Sequence, residues 1–547
     1  MKEHFLAYIQ NSITNYWDSP ALTNLSGESF TYGEVAREIA RLQILFDKIG
    51  IKKGDKVAIC AKNSARWGIA FLAASSHETV VVPLLNDFHA DSVQNLTDHS
   101  ESKLLFTDLD IWSKLDISQM PALMTVINVA DFKFLYNKDD SMAFAFDNID
   151  ELFKAKYPNF SASDINFPTD NFDDLALINY TSGTTSDPKG VMLTYKSISS
   201  NIQFGLFGIP NQPGWKIVSM LPMAHMYGLA FEFLYQLAGG CHIYFLGKVP
   251  SPKVLLNSFA KVQPYMVVTV PLVIEKIFKN SVFPTINKPI IKFMMKAPFL
   301  SRIIKNRILK KIIDAFGGKL QVLIIGGAAI NQEVEDCMKD IKIPYTVGYG
   351  MTECGPILGY EDWRKFKKKS CGKAVHRVEV RIDSEDPQNI VGEIHVRGDN
   401  VMEGYYKNPE ATKAAFTEDG WMRTGDLGLI DNEGNIFIKG RSKNMILSAN
   451  GQNIYPEEIE DKLNSQPYVV ESIVVERDKK IVALVFPDLD RVSQESLDEN
   501  DLAKLMEDNR IKLNLALPLY SRIAKIELLK EAFEKTPKRS IKRFMYK

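Results

Sequence analysis

Tyr180-Thr181-Ser182-Gly183-Thr184-Thr185-Ser186-Asp187-Pro188-Lys189-Gly190 gathers small hydroxyl residues, two glycines and one lysine into a single short string. Such a string can hold a polyphosphate: small residues let backbone N–H groups turn inward around an anion, and the lysine adds a full positive charge. The apolar runs at 175–178 and 191–193 set it between two strands. A Walker loop needs GxxxxGK[ST] opening a helix, whereas here the lysine precedes the second glycine and a strand-like run follows, so an ordinary P-loop is excluded. On composition alone the alternative is a solvated surface loop.

Three further strings carry candidate chemistry. Tyr349-Gly350-Met351-Thr352-Glu353 ends in a carboxylate suited to a hard cation such as Mg²⁺, which takes oxygen ligands and bridges phosphates. Taken alone, such a string is more often a strand-end turn with an exposed acid. In Trp421-Met422-Arg423-Thr424-Gly425-Asp426-Leu427-Gly428, Asp426 can accept two hydrogen bonds from vicinal ribose hydroxyls, although Thr-Gly-Asp is also an ordinary turn. His225, in Leu221-Pro222-Met223-Ala224-His225-Met226-Tyr227-Gly228, reads as a base, a core histidine or a pocket wall. No serine, cysteine or local carboxylate is paired with it, which argues against a hydrolase triad. The five cysteines are scattered without a CxxC pair, so neither zinc nor a redox couple is indicated, and they fit a reducing compartment.

Taken in order, Thr-Ser-Gly-Thr-Thr with Pro-Lys-Gly, then Tyr-Gly-Met-Thr-Glu, Thr-Gly-Asp and Gly-Arg-Ser-Lys resemble the signatures of the adenylate-forming superfamily: acyl-CoA synthetases, luciferases and adenylation domains of peptide synthetases. The resemblance implies that Thr181, Ser182, Gly183, Thr184, Thr185 and Lys189 hold ATP phosphates. It places Tyr349 on the adenine, with Gly350 beside it and Gly326, Gly327 and Ala328 as the backbone wall. Thr352 then sits near the α-phosphate, Glu353 with Thr185 positions Mg²⁺, Asp426 takes the ribose, and Arg441 reaches ribose or phosphate. His225 is implied at the acyl pocket, positioning the carboxylate; Met226, Tyr227 and Gly228 line that pocket or pack the core.

The same resemblance makes Lys443 the hinge of a swinging domain, with a solvated linker lysine as the alternative, and puts Gly451, in Ser448-Ala449-Asn450-Gly451-Gln452-Asn453, beside the pantetheine tunnel for CoA. The family's C-terminal lysine is replaced. Aligning Lys535-Thr536 and Ile541 with the family string puts Ser540 at that position, flanked by Lys538 and Lys542, one of which is expected to supply the charge.

The elements that position these residues read as α/β. A capping box, Thr31 with Glu34, opens a helix over 32–48, followed by strands at 56–61, 80–84 and 104–107 and helices at 65–75 and 92–99. This βαβ alternation predicts a parallel sheet. Residues 217–221, 266–270 and 322–325 are further strands ending near small or polar residues, and the lack of GxGxxG argues against a dinucleotide site. The acidic segment 111–173 reads as a connection without assigned function. Beyond 441 the texture changes to a helix at 456–464, strands near 473–476 and 481–486, a charged helix near 500–515 and a basic tail. The expected architecture is a large N-terminal body of stacked, mainly parallel sheets with helices over 1–440, carrying the ATP and acyl sites. A small mobile α+β C-terminal lid domain follows over 441–547, hinged at 441–443.

A length of 547 residues is too long for one ordinary core, and 45% hydrophobic residues suffice to bury several. Lys+Arg at 66 against Asp+Glu at 67 leaves a net charge of -1, which gives no footprint for nucleic acid. Met1-Lys2-Glu3-His4-Phe5 lacks a secretory signal pattern and no apolar run reaches membrane-spanning length, so a cytoplasmic protein is expected. Between Lys288 and Lys311 cations interleave with Phe293, Met294, Phe299 and Leu300 without one acid, as in a segment lying peripherally on an anionic inner membrane surface. An amphipathic helix pair with solvated cations is the alternative. Its place before Phe316-Gly317-Gly318 resembles the longer members that handle long-chain fatty acids.

The expectation is therefore a long-chain fatty acid–CoA ligase (AMP-forming) using ATP, Mg²⁺ and CoA. Its rivals are adenylation of another acid, or transfer to a carrier-protein thiol, and an ATP-binding regulatory protein with weak or no turnover. Chain-length preference and oligomeric state are not fixed by the sequence.

Overall fold

The computed structural model describes residues 3–139, 148–181, 189–248, 250–447, 452–478, 480–536 and 541–546. Strands Val80–Leu84, Met266–Thr269 and Val322–Ile325 are buried along their whole length and, Thr269 apart, apolar, which is what a strand covered on both faces requires. They belong to two large sheets. The first has eight strands, in the order Gly404–Tyr405, Lys189–Thr194, Leu175–Thr181, Val80–Leu84, Lys56–Cys60, Ser102–Thr107, Thr125–Asn128 and Phe134–Asn137. The second has seven, in the order Tyr345–Val347, Val322–Ile325, Met266–Thr269, Lys216–Ser219, His242–Phe245, Pro20–Asn24 and Ser29–Thr31.

Side chains alternate across each sheet. Val57 and Ile59 join the large core shared with the second sheet, while Ala58 and Cys60 join a smaller cluster on the opposite face. Met266 and Val268 likewise enter the shared core, and Val267 enters the cluster on the far side of the second sheet. Helix Ala65–Ser76 is buried on nearly every side, consistent with its continuous apolar sequence and its place in the shared core. A Cβ on Gly68 would lie 2.7 Å from the Phe233 ring, so this helix approaches the helical turn Gly228–Leu234 as closely as glycine allows. Truncating Phe233 to alanine there costs about 3–5 kcal/mol.

The helix expected over 32–48 is Tyr32–Lys48, opened by the Thr31–Glu34 capping box. The segment 111–173 does more than connect. Thr125–Asn128 and Phe134–Asn137 extend the first sheet by two strands, and Ile149–Lys156 is a helix packed through Ile149 and Phe153. Strands this short, bounded by polar residues, leave almost no periodic signal. Residues 378–441 form a four-stranded antiparallel sheet, Val378–Asp383, Gly392–Gly398, Met422–Ile430 and Ile436–Arg441, which had no counterpart in the sequence reading.

The smaller C-terminal domain has a three-stranded sheet, Val469–Arg477, Lys480–Pro487 and Lys525–Leu528, with helices Pro456–Asn464 and Glu499–Leu515. Ile459, Leu463, Val474, Leu502 and Leu513 give it a core of its own. It touches the body where Asn331 Nδ2 donates to Ser465 Oγ at 2.6 Å and Lys279 Nζ donates to the Asn464 carbonyl at 3.2 Å. Residues 288–311 fall in helices Pro289–Met294 and Pro298–Ala315. The longer one buries Ile304, Ile308 and Ile312, one turn apart, on the outer face of the seven-stranded sheet. Among the described residues no helix is long and apolar enough to cross a membrane.

Candidate active site

The hydroxyl-rich string closes a hairpin. Leu175–Thr181 pairs antiparallel with Lys189–Thr194, in a register that sets Thr181 opposite Lys189 and Tyr180 opposite Gly190. Ser182, Gly183, Thr184, Thr185, Ser186, Asp187 and Pro188 lie outside the described residues. The two ends of the loop are thus fixed by sheet hydrogen bonding. Tyr180 anchors one strand from beneath, with its hydroxyl 2.6 Å from His99 Nδ1.

Lys189 points its ammonium at the ring of Tyr405, 4.8 Å from the centroid. Tyr405 lies on the short strand that pairs with Val191, and its hydroxyl donates to Glu353 Oε1 at 3.0 Å. Burial, then the charge of Glu353, pushes the Tyr405 phenol up, so it remains a donor. The Met402 N–H donates to the Glu353 carbonyl at 2.8 Å, which fixes the 3-10 turn Thr352–Cys354 to the same segment. Thr352 opens that turn and its carbonyl accepts from the Gly355 N–H at 3.1 Å.

A second knot adjoins the first. Tyr349 donates its hydroxyl to Asp426 Oδ2 at 2.7 Å, and Arg441 Nε lies 2.6 Å from Asp426 Oδ1. Asp426 and Arg441 face each other because Met422–Ile430 and Ile436–Arg441 pair in that register. Burial pushes the Asp426 carboxyl above its ordinary range, against the pull of Arg441 and Tyr349. The charge of Glu353 adds to the rise and that of Lys443 opposes it, so both carboxylates and Lys443 share one electrostatic neighbourhood. Lys443 sits in the exposed turn Ser442–Asn444, tied down by Asn444 Nδ2 donating to Glu457 Oε1 at 2.7 Å.

Gly326, Gly327 and Ala328 follow strand Val322–Ile325. The Gly326 N–H donates to the Thr269 carbonyl at 3.0 Å, and Gly327 has a φ of 86°, in the left-handed region that favours glycine. At Gly350 a Cβ would stand 2.3 Å from the Pro356 carbonyl oxygen, so no larger residue fits that strand pairing.

His225 is half-buried, on a loop pinned from three sides. Asn63 Nδ2 donates to the Leu221 carbonyl at 2.6 Å while its Oδ1 accepts from the Met223 N–H at 2.9 Å. Asn179 Nδ2 donates to the Ala224 carbonyl at 2.8 Å. Glu232 Oε2 accepts from the N–H groups of Met220 and Leu221, at 2.9 and 2.8 Å, and burial pushes its carboxyl well up. The Tyr227 hydroxyl donates between the carbonyls of Thr269 and Ile324, 3.3 Å from each, directly beside Gly326.

Among the sequence-derived candidates, the structure thus brings Lys189, Glu353, Tyr349, Asp426, Arg441 and Lys443 into one connected region. The tail stands differently. Lys542 Nζ is 3.0 Å from Glu534 and Lys535 Nζ 2.6 Å from Glu471, both pairs internal to the smaller domain. Lys538, Ser540 and Gly451 lie outside the described residues. Tyr405, Asn63, Asn179 and Glu232 escaped the sequence reading because nothing in their local strings marks them. Among the described residues no three His, Cys, Asp or Glu side chains converge as a ready metal cage.

A family model for AMP-binding enzymes matches residues 9–406, and one for the AMP-binding enzyme C-terminal domain matches residues 443–546. A 4-coumarate–CoA ligase of Humulus lupulus is 30% identical over 488 residues, covering 86% of this chain and 81% of that protein. Long-chain-fatty-acid–CoA ligase 1 of Saccharomyces cerevisiae is 27% identical over 536 residues, covering 87% and 74%. Among solved structures, ATP-bound MatB from Rhodopseudomonas palustris superposes with a TM-score of 0.77 at 22% identity, over 100% of this chain and 98% of that one.

Proposed function

The chain belongs to the AMP-binding enzyme family as an AMP-forming acyl-CoA ligase, and we propose that its acid substrate is a long-chain fatty acid. The observation that carries the adenylation chemistry is the unbroken line from Lys189 through Tyr405 to Glu353, with Asp426 beside it, at the mouth of the hydroxyl-rich hairpin.

Ligases of this family use ATP, Mg²⁺ and coenzyme A. In the proposed reaction a carboxylate oxygen of the fatty acid attacks the α-phosphorus of ATP and pyrophosphate leaves. The CoA sulfur then attacks the acyl carbon of the mixed anhydride and AMP leaves. Lys189 and the hairpin donors hold phosphate charge, in the way preorganised cations and N–H groups stabilise such a displacement. Asp426 takes the ribose hydroxyls on its remaining acceptor sites, next to the ring of Tyr349. His225 orients the carboxylate from its pinned loop.

The residues present fit a hard cation. Among the described residues Oε1 alone of Glu353 is hydrogen-bonded, so its other carboxylate oxygen would be the protein ligand that holds Mg²⁺ beside the nucleotide. When bound, the ion neutralises polyphosphate charge. Thr185, Gly451 and Lys538 retain the roles that family resemblance gives them, and Lys443 that of the hinge about which the smaller domain turns between the half-reactions.

Support for a long-chain acid comes from similarity to the yeast long-chain ligase along most of both chains. The Humulus relative favours a second reading, an aryl acid such as a cinnamate. Pyrophosphate release measured over fatty acids of increasing length and over cinnamates, with and without CoA, separates the two. Turnover highest on a cinnamate would overturn the fatty-acid assignment while leaving the ligase chemistry intact.

A further inference from the structure

We propose that helices Pro289–Met294 and Pro298–Ala315 form a face that docks on an anionic phospholipid bilayer. Ile290, Phe293 and Phe299 stand 73%, 75% and 76% exposed, an unusual state for side chains of their size. Ile290 and Phe293 are three residues apart and share a helix face, while the partly buried Ile291 and Met294 beside them pack against the core. On the longer helix, Phe299 and Arg302 are again three apart. At 100° per residue they lie roughly 180° and 120° from Ile308, the middle of the buried stripe of Ile304, Ile308 and Ile312, so the apolar ring and the cation both face away from the protein.

Charge sets this face apart from the exposed Phe207. Phe207 is 78% exposed, but residues 197–215 around it contain no charged side chain. The run 288–311 holds eight lysines and arginines and no acid. Among the described residues one of these cations is in an ion pair, Lys305 with Asp340 at 2.6 Å, and Lys292 feels the carboxylate of Glu333 on the neighbouring helix. The remainder face solvent or lie along its edge. Protruding rings between uncompensated cations match an anionic bilayer, whose headgroups neutralise the charges while the rings enter the acyl boundary. An acidic protein partner would account for the cations but not for three apolar side chains projecting outward.

The location also has a use. The helical run 271–294 starts at Val270, which packs beside Gly327, and Glu275 on its first helix accepts from the Asn331 N–H at 2.9 Å. A run of helices, broken only at Asn287 and Lys288, therefore links the wall of the active site to the exposed face. This purpose, collection of a membrane-borne acid, rests on the long-chain reading; the docking itself does not.

Full-length protein is mixed with vesicles of phosphatidylglycerol and phosphatidylcholine in equal parts, with pure phosphatidylcholine vesicles, and with soluble polyglutamate. The bound fraction is read by sedimentation or gel filtration, without turnover, so docking and ligase activity fail independently. Sedimentation with the anionic vesicles is expected, together with weak binding to the neutral ones. Phe293→Ser with Phe299→Ser is expected to weaken anionic-vesicle binding about tenfold or more, and Arg302→Glu with Arg307→Glu to remove the preference for anionic lipid. All four positions are exposed, so circular dichroism is expected to match the parent. Absence of vesicle binding, binding that ignores both variants, or retention by polyglutamate but not by vesicles would overturn the proposal.

Discussion

The hydroxyl of Tyr405 donates to Glu353 Oε1 at 3.0 Å while the face of the same ring lies 4.8 Å from the ammonium of Lys189. One side chain therefore spaces the candidate phosphate-binding cation from the candidate metal-binding carboxylate and keeps them from collapsing into a direct ion pair. Its backbone is held independently: Tyr405 is the sheet partner of Val191, and its N–H donates to Thr412 Oγ1 at 2.8 Å.

Tyr405→Phe keeps the ring under Lys189 and removes the bond to Glu353. A hydrogen bond to a charged group contributes about 1.5–3 kcal/mol, so adenylation should slow about tenfold or more, with a higher Mg²⁺ requirement. Carboxylate-dependent pyrophosphate exchange titrated with Mg²⁺ reads both effects. An unchanged Mg²⁺ dependence would show that Tyr405 is scaffolding for the strand and nothing more.

Glu353→Gln keeps a hydrogen-bond acceptor for Tyr405 but deprives the cation of its charge. A loss of roughly 10²–10³ in the rate of pyrophosphate release is expected, the range seen when one preorganised electrostatic group is removed from a reacting site. Lys189→Met should fall in the same range while leaving the fold intact, since Lys189 ends a strand whose neighbours Gly190 and Val191 carry the packing.

The sequence announces chemistry where a motif is contiguous and is silent where the contact is distant. The alternation that predicts stacked parallel sheets is present along the body, because strands buried on both faces must be apolar throughout, as Val80–Leu84 is. Asp426 could be singled out from its string, yet its pairing with Arg441 depends on strand register, which no local pattern reveals. Tyr405 reads as one tyrosine among many until a short edge strand carries it to Lys189. Glu232 is hidden for the opposite reason. A carboxyl buried inside an apolar helical turn looks like a surface residue in sequence, and only its donors, two backbone N–H groups and the Ser219 hydroxyl, explain it.

The His225 loop gives a test of acid binding separate from nucleotide binding. Asn63→Ala removes both the donor to Leu221 and the acceptor from Met223, leaving the loop held by Asn179 and Glu232. KM for the carboxylic acid is expected to rise about tenfold, equivalent to about 1.4 kcal/mol, with KM for ATP unchanged. Asn63→Asp retains the acceptor alone and should fall between. If both KM values rise together, the loop serves the whole site and His225 is not specific to the acid.

At the tail, Lys542 already has a carboxylate partner, Glu534, at 3.0 Å. Exposed pairs of this kind contribute little, so Lys542→Ala should leave stability nearly unchanged. If Lys538 is the group that reaches the α-phosphate, Lys538→Ala slows pyrophosphate exchange by at least tenfold and Lys542→Ala does not. The reverse result would mean that Lys542 exchanges Glu534 for the nucleotide when the smaller domain turns. Equal, undiminished rates in both variants and in the double variant would remove the tail from adenylation.

The seam between the domains should respond to pH through Asp461. This residue lies on Pro456–Asn464, the helix that meets the body, and burial pushes its carboxyl from 3.8 to about 6. The Gln332 N–H and the charges of Lys369 and Lys462 oppose the rise, and Glu275 adds to it. Gln332, Lys369 and Glu275 all belong to the body, so much of the shift depends on docking. The docked chain therefore binds more protons than the open or unfolded chain between about pH 4 and pH 6, and stability falls as pH rises through that window. The full shift corresponds to at most about 3 kcal/mol, already lost at neutral pH. Asp461→Asn keeps an acceptor for Gln332 without the charge, so it should raise Tm above pH 6 and change it little near pH 4. The measurement is the Tm difference between the two proteins across this range, which cancels the titration of carboxylates elsewhere. A difference that is flat with pH, or largest near pH 4, would show that Asp461 ionises in place without strain on the seam.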